Sequence, residues 1–75
     1  MQWEKQGKTL HKTFSFSKYM DGVAFVHEVA ILAEQMDHHP EMLLGYCTVA
    51  ITLTTHDVGC VTDKDYQLAR MIDAL

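Results

Sequence analysis

Proline occurs once and cysteine twice in this 75-residue chain, and each scarcity excludes something. Two isolated thiols, Cys47 and Cys60, are too few for a disulfide framework or a zinc ribbon, and read as small buried or half-buried side chains. With one proline and four glycines, no linker, repeat or low-complexity tract is visible. Basic residues are outnumbered, six Lys and Arg against ten Asp and Glu, for a formal net charge of −4. Phosphate backbones are bound by clustered Lys and Arg, and no basic run is present, which argues against nucleic acid as a direct partner. No stretch of about 18 apolar residues offers a membrane span. The opening Met-Gln-Trp-Glu-Lys lacks the basic-then-apolar order of a signal peptide, so the cytoplasm is the expected compartment.

What the sequence does have is apolar material, 48% of its residues. Residues 1–75 form one domain, with no room for a second core. A chain this short buries only about 60% of the surface its unfolded form exposes, so self-association is expected to add stability.

The pattern of side chains gives the elements. Trp3 to Lys8 reads as a short edge strand turning at Gly7. Leu10, Phe14 and Phe16 then alternate with His11, Thr13 and Ser15 to predict a second strand, and Lys12, breaking the apolar set, suits an edge position. Ser17 is the predicted N-cap of a helix running to about Met36. Val23, Val26, Ala30 and Ala33, flanked by Phe25, Val29, Leu32 and Met36, make a wide apolar stripe on it. Gly22 lowers its propensity by about 1 kcal/mol relative to Ala. Pro40 ends that segment by disfavouring helical backbone at His39. Met42 to Gly45 and the β-branched run Thr48 to Thr55 predict two more strands around a turn at Gly45-Tyr46. On the latter strand Val49, Ile51 and Leu53 point inward, with Thr48, Ala50, Thr52, Thr54 and then His56 outward. Thr62-Asp63-Lys64-Asp65 opens a capped helix whose apolar face is Leu68, Ala69, Ile72 and Leu75. The fold class is therefore α+β: order β-β-α-β-β-α, a four-stranded antiparallel sheet with both helices on one face. The other sheet face is small and polar, and an edge strand is free to pair with a second copy.

Three of the five histidines fall where chemistry is plausible. His38 and His39 occupy the helix-ending loop before Pro40, and His56 follows the strongest strand. A short hairpin between them brings His56 back near His38 and His39. Imidazoles titrate near neutrality, which suits general acid–base work. Glu34, one helical turn before His38, can orient an imidazole or a substrate N–H, and Asp37 and Asp65 are further polar candidates. Plainer readings exist: His38-His39-Pro40 as a surface helix cap, His56 as a solvent-facing strand end, Asp63 and Asp65 as cap residues, His11 and His27 as structural. Glu34, His38, His39 and His56 are also metal-type ligands. Adjacent histidines rarely chelate one ion together, however, and no HExxH-like spacing occurs, so no metal is expected.

Taken together, Glu34-Gln-Met-Asp-His38-His39-Pro40-Glu41, Tyr46, Thr54-Thr55-His56-Asp57 and Thr62-Asp63-Lys64-Asp65 resemble the pterin-4a-carbinolamine dehydratases. Their signature sets an acidic residue four before His-His-Pro, an aromatic six after the proline, a histidine ten later and an aspartate beyond. The resemblance runs over roughly residues 3 to 75. It implies dehydration of a 4a-hydroxytetrahydropterin to the quinonoid dihydropterin, recycling the pterin used by an aromatic-amino-acid hydroxylase. It further implies His38, His39 and His56 as the catalytic set, with Glu34, Asp37, Pro40, Lys64 and Asp65 shaping the pterin site. No metal or dissociable cofactor is required by that chemistry, and a homodimer or homotetramer is implied. The chain departs from the pattern in three places. Members often carry an additional N-terminal helix, whereas this sequence starts at the first strand. Gly59-Cys60-Val61-Thr62 stands where Gly-Gly-Leu-Thr is usual, and Lys64 where arginine is common. Two other readings stand beside the enzyme: a non-catalytic interaction or assembly module, and a dehydratase acting on a molybdopterin-type pterin.

Overall fold

The computed structural model describes residues 2–75. Its elements are β1 (Glu4–Gln6), β2 (Thr9–Ser15), α1 (Tyr19–Met36), β3 (Glu41–Leu44), β4 (Thr48–Leu53) and α2 (Asp63–Asp73). The four strands form one antiparallel sheet in the order β1-β2-β4-β3. This is the predicted α+β arrangement, with β1 the edge strand expected around Trp3 to Lys8 and a turn at Gly7, whose φ is 59°.

The register explains the core. Leu10 lies opposite Leu53, Lys12 opposite Ile51 and Phe14 opposite Val49, while β3 adds Met42 opposite Ile51 and Leu44 opposite Val49. Alternation sends this set to one face, where Leu10, Val49, Ile51 and Leu53 are buried with Val29 of α1 and Leu68, Ala69 and Ile72 of α2. The opposite face carries His11, Thr13, Ser15, Thr48, Ala50 and Thr52, with His11 bonded to the hydroxyls of Thr9 (2.7 Å) and Thr52 (3.0 Å). No helix among the described residues is long and apolar enough to cross a membrane.

Three local expectations are corrected. The N-cap of α1 is Lys18, in extended backbone and without a side-chain cap, rather than Ser17. Phe16 N–H still donates to Cys47 C=O at 2.8 Å, so strand-like pairing outlasts β2 and delays the helix. Lys12 is not on an edge, because β2 lies between β1 and β4. Its charge is met by Asp73 at 2.7 Å, and its ammonium sits 4.6 Å from the centre of the Phe14 ring. Leu75 follows the end of α2 and is exposed rather than part of its apolar face.

Candidate active site

The site forms where α1 ends, β4 ends and α2 begins. At the end of α1 the chain turns through Asp37, whose φ of 50° and ψ of 44° are left-handed. Aspartate tolerates that region better than most residues because its short side chain can bond locally. Asp37 and His38 N–H groups return to the last carbonyls of α1, at Glu34 (3.2 Å) and Ala33 (3.0 Å). The helix end is thereby closed, and His38 and His39 leave it towards different surroundings. His38 is buried, whereas His39 is exposed.

Strand β4 ends at Leu53, and Thr55 makes one further antiparallel bridge with Cys60. Between them a tight turn carries His56 and Asp57, with Gly59 at φ 76°, a value that favours glycine. Thr62 then caps α2 in extended backbone, and Asp65, the third residue of the helix, folds back to accept the Thr62 N–H at 2.9 Å. This is the reciprocal half of a capping box, with Asp in the place of the more usual Glu.

That same carboxylate reaches the end of α1. Asp65 is fully buried, and its Oδ1 lies 2.6 Å from His38 Nε2 while its Oδ2 accepts from Thr55 Oγ1 at 2.8 Å. Burial alone would push the Asp65 carboxyl up. The hydrogen bonds from His38, the Thr62 N–H and Thr55, together with the attraction of His38, outweigh that and hold it below the ordinary aspartate range. An ionised carboxylate only accepts, so His38 Nε2 carries the proton and Nδ1 is the nitrogen left for a substrate in the neutral ring. The same logic orders the hydroxyls: Thr55 donates to Asp65, so Thr62 Oγ1 donates to Thr55 Oγ1 across 2.7 Å.

In front of His38 lies a recess of about 230 Å³, lined by Asp37, His38, His39, Thr55, His56, Asp57 and Lys64. The hairpin thus does bring His56 to the loop of His38 and His39. Glu34 lies outside the lining and contacts His39, whose Nε2–H donates to Glu34 Oε1 at 2.6 Å on the open surface. Pro40 also lies outside the lining, half-buried at the start of β3. Asp65 stands behind His38 with both oxygens occupied, so it meets the recess through that ring. Tyr46, in the β3–β4 turn, is 82% exposed and does not line the recess. Among the described residues no group of three or more His, Cys, Asp or Glu side chains is arranged to hold a metal ion.

The family profile described as Pterin 4 alpha carbinolamine dehydratase matches residues 1–75. The chain belongs to the pterin-4-alpha-carbinolamine dehydratase family. A relative from Natronomonas pharaonis provisionally named for that dehydratase is 44% identical over 73 residues, spanning 97% of this chain and 79% of its own. A similarly named protein of Sulfurisphaera tokodaii is 41% identical, over 97% and 78%. Among solved structures, the transcriptional coactivator/pterin dehydratase of Brucella melitensis superposes with a TM-score of 0.90 at 34% identity, covering 96% of this chain and 79% of that one. A pterin dehydratase-like protein identified as a RuBisCO assembly factor in the α-carboxysome matches with a TM-score of 0.83 at 31% identity, over 99% and 88%.

Against the dehydratase pattern, Cys60 in place of a glycine distorts nothing, because Asp37 is the one non-glycine with positive φ among the described residues. Lys64 lines the recess where the family more often has arginine. Asp57 and Thr55 line the recess although the sequence pattern assigned neither a role there, and Thr55 is the buried one of the two. The signal was present: the inward series Val49, Ile51, Leu53 continues to Thr55, setting a hydroxyl on an otherwise apolar face.

Proposed function

We propose that this protein dehydrates a 4a-hydroxytetrahydropterin to the quinonoid dihydropterin, using His38, His39 and His56 as its acid–base set. The observation that carries the reading is the convergence of all three imidazoles on one recess, one of them backed by the buried Asp65 carboxylate. The reaction needs two proton movements at neutral pH. One imidazolium protonates the departing C4a hydroxyl while the lone pair of the adjacent ring nitrogen expels it as water. A second imidazole takes the ring N–H proton, and the ring is left as the quinonoid dihydropterin. Glu34 steadies His39 through their 2.6 Å hydrogen bond, and Asp37 and Lys64 supply polar groups at the rim for the pterin's amide and amino edge. Family membership supports the pterin as substrate class. Supply of that substrate by an aromatic-amino-acid hydroxylase belongs to the same reading, as the family resemblance implies.

The same reading includes a homodimer or homotetramer. The β3 edge strand leaves backbone groups unpaired beside an exposed Leu43, which supports sheet extension by a second copy. The structural likeness to a RuBisCO assembly factor favours a second reading, a non-catalytic assembly module. Activity separates the two. Purified protein, sized by sedimentation, is to be assayed for 4a-hydroxytetrahydropterin dehydration beside His38→Ala and His56→Ala. The enzyme reading expects acceleration over the uncatalysed rate and losses of about 10²–10⁴-fold in each variant. A folded wild type without acceleration would leave the assembly reading standing.

A further inference from the structure

A threonine at the core-facing phase of a strand end is a costly choice, because a buried hydroxyl is unfavourable unless its hydrogen bonds are made. Thr55 is 7% exposed and makes all of them. Its hydroxyl donates to Asp65 Oδ2 at 2.8 Å and accepts from Thr62 Oγ1 at 2.7 Å. Its N–H donates to Cys60 C=O at 3.1 Å, and its own C=O receives the N–H groups of Val58 and Gly59 at 3.1 and 2.8 Å. The backbone of Thr55 therefore anchors the turn that carries His56, and its side chain anchors the carboxylate behind His38.

We infer that Thr55 is a positioning residue: it holds Asp65 so that His38 keeps one ring orientation and one tautomer, and it sets His56 relative to that ring. The catalytic part of this inference rests on the dehydratase reading above. The geometry is restrictive. Asp65 Oδ2 is fixed by two donors, Thr55 Oγ1 and the Thr62 N–H, so Oδ1 is left aimed at His38 Nε2, 2.6 Å away. Without the Thr55 hydroxyl, Oδ2 keeps a single donor, and the carboxylate is free to turn about its Cβ–Cγ bond. The His38 ring then loses its fixed partner, although none of the three imidazoles has been altered.

The test compares Thr55→Val, which keeps the shape and removes the hydroxyl, with Thr55→Ser, which keeps the hydroxyl. Two readouts are taken, the kinetics of 4a-hydroxytetrahydropterin dehydration and the imidazole nitrogen and Nε2–H resonances of His38 by NMR in the absence of substrate. In the wild type the Nε2–H, held on a buried carboxylate, should exchange slowly and be visible with the nitrogen shifts of the Nε2–H tautomer. Thr55→Val should lose that proton signal and lower kcat by about 10–100-fold, the range typical for removing a group that orients a catalytic ligand, with KM nearly unchanged. Thr55→Ser should restore both. A folded Thr55→Val with wild-type kcat and an intact His38 signal overturns the inference, as does a Thr55→Ser no better than Val. Should Thr55→Val not fold, Thr55→Ala is read in its place, and loss of fold in both assigns Thr55 to stability and overturns it too. If the wild type itself shows no dehydration, the dehydratase reading fails, while the NMR comparison still decides whether Thr55 holds His38.

Discussion

At the scale of single residues, Asp65 joins the stability of the fold to the geometry of the recess. A buried carboxylate with no partners would be expelled from the fold or neutralised; here three donors converge on it, from His38, Thr55 and the Thr62 backbone. Removing it strands those donors and the cap together. Asp65→Ala should therefore destabilise the protein by about 2–4 kcal/mol, combining loss of the cap with unsatisfied buried groups. The dependence on pH has a fixed sign. The folded carboxyl is depressed, so its charge contributes stability that is fully present above the ordinary aspartate value of about 3.9. That contribution is lost as pH falls from there through the lower folded value. Urea denaturation at a series of pH values should show the gap between wild type and Asp65→Asn narrowing below about pH 4. A gap that stays constant down to the acid limit would mean that the fold does not depress the Asp65 carboxyl.

At the scale of elements, α1 shows what pattern reveals and what it hides. Its length and apolar stripe were legible, and Val29 and Ala33 are buried as that stripe requires. Glycine at position 22 reads only as a loss of helix propensity, but the structure gives its surroundings: a Cβ there would meet Leu44 at 3.4 Å, Val49 at 3.5 Å and Phe16 at 3.6 Å. Those are ordinary contact distances, so one methyl group fits without displacing the sheet. Gly22→Ala should accordingly stabilise by up to about 1 kcal/mol in chemical denaturation, with Gly22→Leu destabilising through overpacking. A destabilised alanine variant would show that α1 already sits against β3 and β4 as closely as a bare Cα allows. The strands were legible for a similar reason, since a period of two in β2 and β4 is a local property. What escaped was settled by residues far away in sequence. Lys12 looked like an edge residue because its partner Asp73 is 61 positions on. Ser17 looked like a cap because the Phe16–Cys47 hydrogen bond that delays the helix is not local. The site divides in the same way: the three histidines and Asp65 stood out by type and spacing, but the contact by which Asp65 reaches His38 spans 27 positions, and the hydrogen bond of Thr55 to that carboxylate is legible only once the two are brought together.

At the scale of the whole molecule, α2 is held at both ends, and the two ends serve different purposes. Asp65 near its start is tied to His38 and the recess in front of it. Asp73 at its finish, eight residues and about 12 Å further along the axis, is tied to the beginning of the chain. The Trp3 indole N–H lies 3.1 Å from each Asp73 carboxylate oxygen, and Lys12 adds its ammonium at 2.7 Å. Residues 70 positions apart are thereby closed on one another, with Trp3 edge-on to Phe14 beneath. In a domain this small, such a closure is a sizeable part of a marginal total. Asp73→Ala leaves the lysine charge beside the Phe14 ring and the indole N–H without its partner. It should cost about 1–2 kcal/mol, since the pair is only partly exposed and involves charged hydrogen bonds. A loss of that size lowers Tm by about 4–8 °C per kcal/mol for a chain of this length. Trp3 is the sole tryptophan, so its emission reports the opening of this end directly. On the proposed dehydratase reading, and because the clamp and the recess lie at opposite ends of α2, dehydration kinetics well below Tm should match wild type. If Asp73→Ala instead lowered kcat in the folded protein, the two ends of α2 would be mechanically coupled, and Asp65 could no longer be treated as a local device.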